Sequence, residues 1–348
     1  MRTARILADG VGYYHIILKA TGPLYLFEAD SDKADFLDLL ERTSRFSGVD
    51  VLSFALLDNH FHLFLKVPVR ESVPAPEFRL RVEALYGSAR AERLFRHWAF
   101  LESRGRATDA QRERDRLLAR MYDLGEFMKT LKECFQRRYR DAHGWEGSFW
   151  RGRYKSILVE ESYRAFKALS LYIAMNPVRA GIVKRGTDSR WTSYGLSKKT
   201  GTFGWKCHQN LLREIARLAG ANAGTDSLAR LYDAYIRKAE SVSREAVRRK
   251  LEEGASLSLY DLLVCRVHAF SNGRALGTVQ GLRKLRIAHR RITPLARSTC
   301  GLATATGLRG ELYRLATESR YFAEQVLPGM VSEKSSGGLF SGPTCSKA

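Results

Sequence analysis

Apolar residues alternate with polar ones in some segments of the first half of the chain and recur with helical spacing in others. Segments rich in β-branched and aromatic residues predict strands at residues 13–20, 49–57, 60–67 and 148–160. Helical spacing predicts helices at residues 31–46, 121–140 and 162–175, with Ser31 as the N-cap of the first. The Asp58-Asn59 pair predicts a tight turn that joins the second and third strands as a hairpin.

The order of these elements is strand, helix, strand, strand, helix, strand, helix. Its first six members follow the split βαββαβ pattern of a ferredoxin-like sandwich. We therefore expect an α+β fold with one antiparallel sheet and helices on one face. The other face of the sheet would be free for a ligand.

The rest of the chain has a different texture. Residues 69–118 are helical and rich in charge after two prolines, which predicts a helical insertion within a domain of residues 1–200. Residues 201–330 predict a basic, mostly helical C-terminal region with one strand at 262–270. Residues 331–348 are rich in Ser and Gly and predict a disordered tail.

The charge balance narrows the class of partner. The 348 residues include 58 Lys and Arg against 37 Asp and Glu, a formal net charge of +21. This excess points to a polyanion, nucleic acid first and an acidic membrane surface second. Residues 274–314 alone carry nine basic residues against one acid, which favours a surface that follows phosphates over an ordinary solvated face.

Cysteine usage and hydropathy bear on the compartment. The five cysteines are scattered and show no Cys-x-x-Cys spacing, which is typical of reduced thiols in a cytosolic protein. No apolar run is long enough for a signal peptide or a membrane span. We expect a cytoplasmic protein that does not insert into membranes.

Two histidines stand two residues apart in the apolar run LLDNHFHLFLKV. Side chains alternate along a strand, so His60 and His62 would share one face while Phe61 enters the core. Two imidazoles on one face can hold a divalent metal and leave part of its coordination sphere open to a substrate. Two polar residues on a half-buried strand explain the same pattern, and the pattern alone does not decide.

A second cluster lies in the helix at residues 162–175. Asn176 follows Tyr172 by four residues, one helical turn, and Ala165 and Ala168 on the same face leave space beside the phenol. An ordinary core tyrosine is the alternative, and Pro177 disfavours helical geometry at Asn176. With a metal as Lewis acid, a tyrosine hydroxyl can attack a phosphodiester and form a covalent intermediate. The products would be a 5′-phosphotyrosine and a free 3′-OH, and reversal onto another 3′-OH would be strand transfer.

These motifs together resemble a known family. His60-Phe61-His62 matches the hydrophobic-His-hydrophobic-His signature of HUH endonucleases. The segments FWRGRYKSILVE and LYIAMNPVRAGIV resemble the single-tyrosine transposases, and within them the REP-associated tyrosine transposases. The resemblance covers residue 13 to about residue 197, interrupted by the insertion. It implies that Tyr172 is the nucleophile and that Asn176 joins the two histidines as a ligand of a divalent metal, with Mg²⁺ the first choice and Mn²⁺ the second.

The resemblance also implies a substrate. The family cleaves and joins single-stranded DNA at imperfect palindromes, such as REP elements, that fold into hairpins. We expect DNA contacts from four basic side chains, three of them at alternate positions of the fourth strand, namely Arg151, Arg153, Lys155 and Arg179. For residues 201–330, extra contact with DNA is the first expectation. Relatives include homodimers and monomers, so the oligomeric state stays open.

Three other functions fit parts of this pattern. A catalytically silent, domesticated protein that binds DNA or RNA hairpins would share the fold and the charge. It would have no need of both histidines, Tyr172 and Asn176 together. A rolling-circle initiator or relaxase would use the same chemistry. Relaxases usually carry a third histidine in the metal cluster and the tyrosine near the N-terminus, whereas the early tyrosines here, Tyr13 and Tyr14, lie in a predicted core strand. The absence of acidic residues beside His60 argues against a metallohydrolase of small molecules.

Overall fold

The computed structural model describes residues 5–22, 24–220, 225–253, 255, 257–264, 270–271, 274–278, 281–282, 284, 302–304 and 313–315. The elements up to the last predicted helix are β1 (Gly12–Lys19), α1 (Asp30–Ser47), β2 (Asp50–Leu57), β3 (His60–Val67), α2 (Ala75–Tyr86), α3 (Ser88–Ser103), α4 (Ala107–Leu118), α5 (Leu124–His143), β4 (Lys155–Val159), α6 (Tyr163–Ala174) and α7 (Asn176–Ala180). They are followed by α8 (Phe203–Ala219), α9 (Thr225–Glu240), α10 (Arg244–Glu252), α11 (Leu259–Val264), β5 (Ala275–Gly277), β6 (Leu302–Thr304) and β7 (Tyr313–Leu315). The fold is mixed α+β, as the sequence predicted.

The described strands form a sheet in the order β2-β3-β1-β4-β5-β7-β6. The pairs among β1 to β4 are antiparallel, whereas β5 runs parallel to β4. Leu57 pairs with His60 across the Asp58-Asn59 turn, which confirms the predicted hairpin. The register also sets His62 between Ile17 of β1 and Ala55 of β2, so this histidine lies in the interior of the sheet.

Helices cover both faces of the sheet, and the expectation of helices on one face only was wrong. α1 and α5 pack on the face formed by Tyr14, Ile16 and their neighbours on β2 and β3. α6 and α8 pack on the opposite face, which includes Tyr13 and Phe64. The physical reason is the composition of α6, where every residue from position 168 to 174 is buried. A helical segment that is buried on all sides needs partners besides the sheet, and α8, α9 and α11 provide them.

The charge-rich helices between β3 and α5 have a core of their own. α2, α3 and α4 enclose a cluster that includes Phe78, Val82 and Trp98. Arg42 of α1 donates hydrogen bonds to the carbonyl oxygens of Ala84 and Leu85 at 3.1 and 2.6 Å, and these bonds hold α2 against α1. The charged positions that made this stretch look unlike the rest of the chain lie on the surface around that cluster.

Several predicted boundaries differ from the structure. α1 begins at Asp30 after Ala29, which makes no side-chain cap, so Ser31 is not the N-cap. Residues 262–264 belong to α11, where the sequence predicted the start of a strand, because Leu259, Leu262 and Leu263 follow a helical pattern of burial. Residues 265–269 of that predicted strand and the predicted tail at 331–348 lie outside the described residues. The division of the chain at residue 200 stays a prediction.

Candidate active site

A cleft of about 660 Å³ lies at the ends of β1, β3 and β4, beside α6 and α7. Its lining includes all the residues that the sequence singled out for chemistry, namely His60, His62, Arg151, Arg153, Lys155, Tyr172, Asn176 and Arg179. Lys19, Asn59 and Ser271 contribute further polar groups. The topology therefore brings together side chains from positions separated by more than 100 residues in sequence.

The two histidines of β3 face this cleft with their rings 5.2 Å apart at an angle of 74°. His60 Nδ1 lies 2.7 Å from the side-chain oxygen of Asn59. A carboxamide oxygen only accepts hydrogen bonds, so Nδ1 carries the proton and Nε2 carries the lone pair. Phe61 between them points into the opposite core, as the alternation of the strand predicted.

A third histidine, which the sequence analysis did not select, stands behind this pair. His15 of β1 is buried, and its Nε2 lies 2.9 Å from His62 Nδ1. Its Nδ1 lies 2.9 Å from the backbone oxygen of Phe270. A histidine within the apolar segment YYHIIL was the available signal, since it shares a strand face with Tyr13 and Ile17 of the core.

Burial governs the ionisation of all three imidazoles. It lowers the pKa of His15 to about 3 and the pKa of His60 to about 4. For His62, burial and then the neighbouring His15 and His60 hold the pKa well below its ordinary value. The three rings are therefore neutral at pH 7, and a neutral imidazole is the form that ligates metals.

Tyr172 of α6 is enclosed by rings and a guanidinium group. The Arg179 guanidinium carbon lies 4.0 Å from the centroid of the Tyr172 ring, and the Phe270 ring lies 4.5 Å from it. The ring centroids of His62 and His15 are 5.7 and 5.9 Å away. The Tyr172 residue is only 4% exposed, so these neighbours, rather than open solvent, surround the phenol that the flanking alanines were expected to leave free.

Asn176 lies where α6 gives way to α7. α6 ends at Ala174, and Pro177 sits in the first turn of α7, so the chain changes helix at the position where Pro177 disfavours continuation. Arg179 donates a hydrogen bond to Asn176 Oδ1. The Asn176 amide nitrogen is buried and has no hydrogen-bond partner among the described residues.

Of the three candidate ligands, His60 and His62 suit a metal ion well, and Asn176 suits it less well. His60 can offer Nε2 to the cleft, and the carboxamide oxygen of Asn176 has a second lone pair. The Arg179 guanidinium beside that oxygen would compete with a cation. In the described ranges no group of three or more His, Cys, Asp or Glu side chains is placed to hold a metal. A metal here would therefore depend on two imidazoles and one amide, which are all neutral ligands.

Three exposed basic side chains border the same cleft. Lys155 is the first residue of β4, whereas Arg151 and Arg153 lie in a bent segment before it. The predicted strand does not extend through these residues, because Gly152 adopts a φ of +84° that breaks the extended run. Lys155 Nζ donates to the Ser271 backbone oxygen at 2.8 Å. The cations line one wall of the cleft despite the irregular backbone, and such a wall suits phosphate groups.

Comparisons with known proteins give no sequence relative. No protein-family model and no curated protein matches the chain. A solved structure of a REP-associated tyrosine transposase bound to a REP hairpin aligns with 58% of this chain and 88% of its own, at 12% sequence identity and a TM-score of 0.38. Within the part of the chain that the structure describes, no helix has the length and apolar character needed to cross a membrane.

Proposed function

We propose that this protein is a metal-dependent endonuclease and strand transferase of single-stranded DNA, a transposase that acts at hairpin-forming repeats through Tyr172. The observation that carries the proposal is the content of one cleft, which combines a tyrosine, two neutral imidazoles and a wall of cations. A phosphodiester is a substrate that uses all three. Its charge binds to the cations, its phosphorus accepts the hydroxyl, and its non-bridging oxygen takes a Lewis acid.

We also propose that the protein is a REP-associated tyrosine transposase and that its core is ferredoxin-like. The strand order β2-β3-β1-β4, with α1 and α5 on one face, supports a ferredoxin-like core under the additional layer of α6 and α8. The motif residues of the REP-associated tyrosine transposases then fall on the cleft. Hairpin DNA is the proposed partner because the chain's net charge of +21 favours a polyanion and the cleft is lined by Arg151, Arg153 and Lys155.

In the proposed reaction, Tyr172 Oη attacks phosphorus, so that the Oη–P bond forms as the P–O3′ bond breaks. The phenolic proton passes to solvent, and the leaving 3′ oxygen takes up a proton to become a free 3′-OH. Attack by a second 3′-OH on the phosphotyrosine reverses these bond changes and joins strands without nucleotide hydrolysis. Arg179 and Phe270 hold the Tyr172 ring in place for the attack.

His60 and His62 are the residues that would hold a divalent metal, with Asn176 Oδ1 as the third candidate ligand. When bound there, Mg²⁺ or Mn²⁺ would supply Lewis-acid stabilisation of charge on the non-bridging oxygen. Arg151, Arg153 and Lys155 would bind the flanking phosphates, as exposed cations do along a nucleic-acid backbone.

Covalent capture of DNA tests the proposal directly. Labelled hairpin oligonucleotides with single-stranded flanks are incubated with the protein and Mg²⁺ or Mn²⁺, then separated on a denaturing protein gel. We expect a labelled band at the protein's mass that requires metal and is absent in Tyr172→Phe. Tyr163→Phe is the matched control, since Tyr163 is on the same helix but bonds to Tyr235 at 3.2 Å outside the cleft.

The outcomes separate the candidate functions. Tyr172→Phe should keep hairpin affinity while it loses the adduct, and His60→Ala should lose metal-dependent cleavage. An adduct that persists in Tyr172→Phe would show that another residue is the nucleophile. Hairpin binding by the wild-type protein without any adduct, on either strand and with either metal, would instead identify a hairpin-binding protein without catalysis.

A further inference from the structure

Two hydrogen bonds with a fixed direction join Phe270 of the C-terminal region to His62 through His15. The Phe270 backbone oxygen lies 2.9 Å from His15 Nδ1, and His15 Nε2 lies 2.9 Å from His62 Nδ1. A carbonyl oxygen only accepts, so His15 Nδ1 is the donor. A neutral imidazole has one N–H group, so His15 Nε2 accepts and His62 Nδ1 donates. The remaining nitrogen of His62, Nε2, then carries the lone pair.

We propose that His15, oriented by the Phe270 carbonyl, is a positioning residue that sets the tautomer and the ring plane of His62 so that Nε2 is its metal-ligating atom. The proposal rests on the proposed function for the role of the metal. Partners of this kind orient metal-ligating histidines and fix their tautomer in other proteins. Here the partner of His62 is a second imidazole, that of His15, and the Phe270 carbonyl fixes which atom donates in each of the two hydrogen bonds.

The ring geometry supports a role in orientation. The His15 and His62 rings lie 5.2 Å apart with an angle of 22° between their planes, so the plane of one follows the plane of the other. His15 is fully buried on β1, and its strand neighbours on the same face are the core residues Tyr13 and Ile17. An apolar side chain at position 15 would fill this core, but it would leave the buried His62 Nδ1 without an acceptor.

The C-terminal region thereby contributes to the site rather than only to its surroundings. The Phe270 ring packs 4.5 Å from the Tyr172 ring, while its carbonyl bonds to His15. The next residue, Ser271, accepts a hydrogen bond from Lys155 of the cationic wall. Two adjacent residues therefore contact the proposed nucleophile, the histidine chain and a proposed phosphate ligand, in addition to the DNA contact expected of this region.

Metal affinity and tautomer can be measured without any reaction. Titration of the full chain with Mn²⁺, followed by electron paramagnetic resonance, should show a 10- to 100-fold weaker Kd for His15→Leu, the usual range for loss of such a partner. His15→Gln keeps an acceptor and a donor and should recover most of the affinity. Long-range ¹H–¹⁵N correlation spectra should show the His62 proton on Nδ1 in the wild-type protein and on a mixture of nitrogens in His15→Leu.

The results discriminate this proposal from the proposed function. Equal Mn²⁺ affinity in the wild type and His15→Leu, or a wild-type His62 protonated on Nε2, would overturn the role of His15 even if DNA adducts form. The expected tautomer and affinity loss without any adduct would uphold the role of His15 and refute the transposase. If His15→Leu fails to fold, the wild-type tautomer decides the question, because a His62 proton on Nε2 would overturn the role of His15 and a proton on Nδ1 would uphold it.

Discussion

Replacing Glu214 by Gln should lower the free energy of unfolding, because the Glu214 side chain bonds α8 to the sheet. The Glu214 carboxylate is 12% exposed and accepts hydrogen bonds from Lys66 Nζ at 2.5 Å and from Arg217 at 2.8 and 3.0 Å. Tyr13 Oη donates to the same carboxylate at 3.1 Å. Lys66 is on β3 and Tyr13 on β1, so one side chain of α8 is bonded to two strands.

The expected loss follows from the exposure of each partner. A hydrogen bond to a charged group contributes about 1.5–3 kcal/mol, and the loss of one partner of a buried pair costs more than the bond itself. Lys66 is 24% exposed and would keep an ammonium group without its partner, whereas Arg217 is 51% exposed and contributes less than about 1 kcal/mol. We expect Glu214→Gln to lower the free energy of unfolding by about 2–3 kcal/mol at pH 7.

The stabilisation that Glu214 provides should decrease as the pH falls. Burial favours the neutral carboxyl of Glu214, but the hydrogen bonds from Lys66, Arg217 and Tyr13 outweigh it and lower the pKa below its ordinary value of 4.5. The unfolded chain then binds the proton first as the pH falls. The contribution of Glu214 is complete above pH 4.5 and is lost as the pH falls through the lower, folded-state pKa.

Urea unfolding followed by circular dichroism measures the difference at pH 7 and at pH 3.5. The matched control is Glu161→Gln, which removes an exposed ion pair to the same Arg217 and should cost less than about 1 kcal/mol. Equal losses in the two variants at pH 7 would refute the link between α8 and the sheet. A difference that does not narrow in acid would refute the electrostatic account.

Three further predictions concern a buried histidine, a cation and a thiol. Burial lowers the pKa of His208 to about 4, so the unfolded chain takes up this proton first as the pH falls. Between pH 7.5 and 4.5, the free energy of unfolding should therefore fall by about 2.5 kcal/mol more in the wild type than in His208→Leu. Urea unfolding at the two pH values measures this difference. Arg153→Ala should reduce the salt slope of hairpin binding by about 0.7–0.9, measured by fluorescence anisotropy, whereas Arg213→Ala outside the cleft should not. Burial raises the pKa of the Cys207 thiol well above its usual range, so iodoacetamide should label half-buried Cys134 before Cys207 in native protein, as peptide mass spectrometry can detect.

The sequence predicted the elements of the sheet better than the layers around it. Period-two segments and the Asp58-Asn59 turn gave β1, β2 and β3 to within about a residue, because alternation and turn chemistry are local properties. Whether a face is covered depends on elements far along the chain. The apolar composition of residues 168–174 of α6 is a sequence signal for burial, yet only the structure shows that α8 lies beside this helix.

The same division between local and distant determinants holds for the site. His60 and His62 share a face because strand geometry requires it. Tyr172 and Asn176 both line the cleft, although α6 ends at Ala174 between them. The hydrogen bond from Arg179 to Asn176 Oδ1 spans only three residues, but it depends on a change of helix at Pro177 that spacing does not reveal.

The chain of hydrogen bonds behind His62 marks the limit of what spacing can predict. Its final acceptor is a backbone carbonyl, which every residue possesses, and it lies 255 positions from His15. No residue type at position 270 encodes that acceptor, so only the path of the backbone can supply it. His15 itself is encoded, and a polar imidazole inside an apolar strand has to find both a donor and an acceptor when it is buried. A buried histidine on a strand adjacent to a paired-histidine motif is therefore a sequence signal for a positioning residue, and its partner is the part that needs a structure.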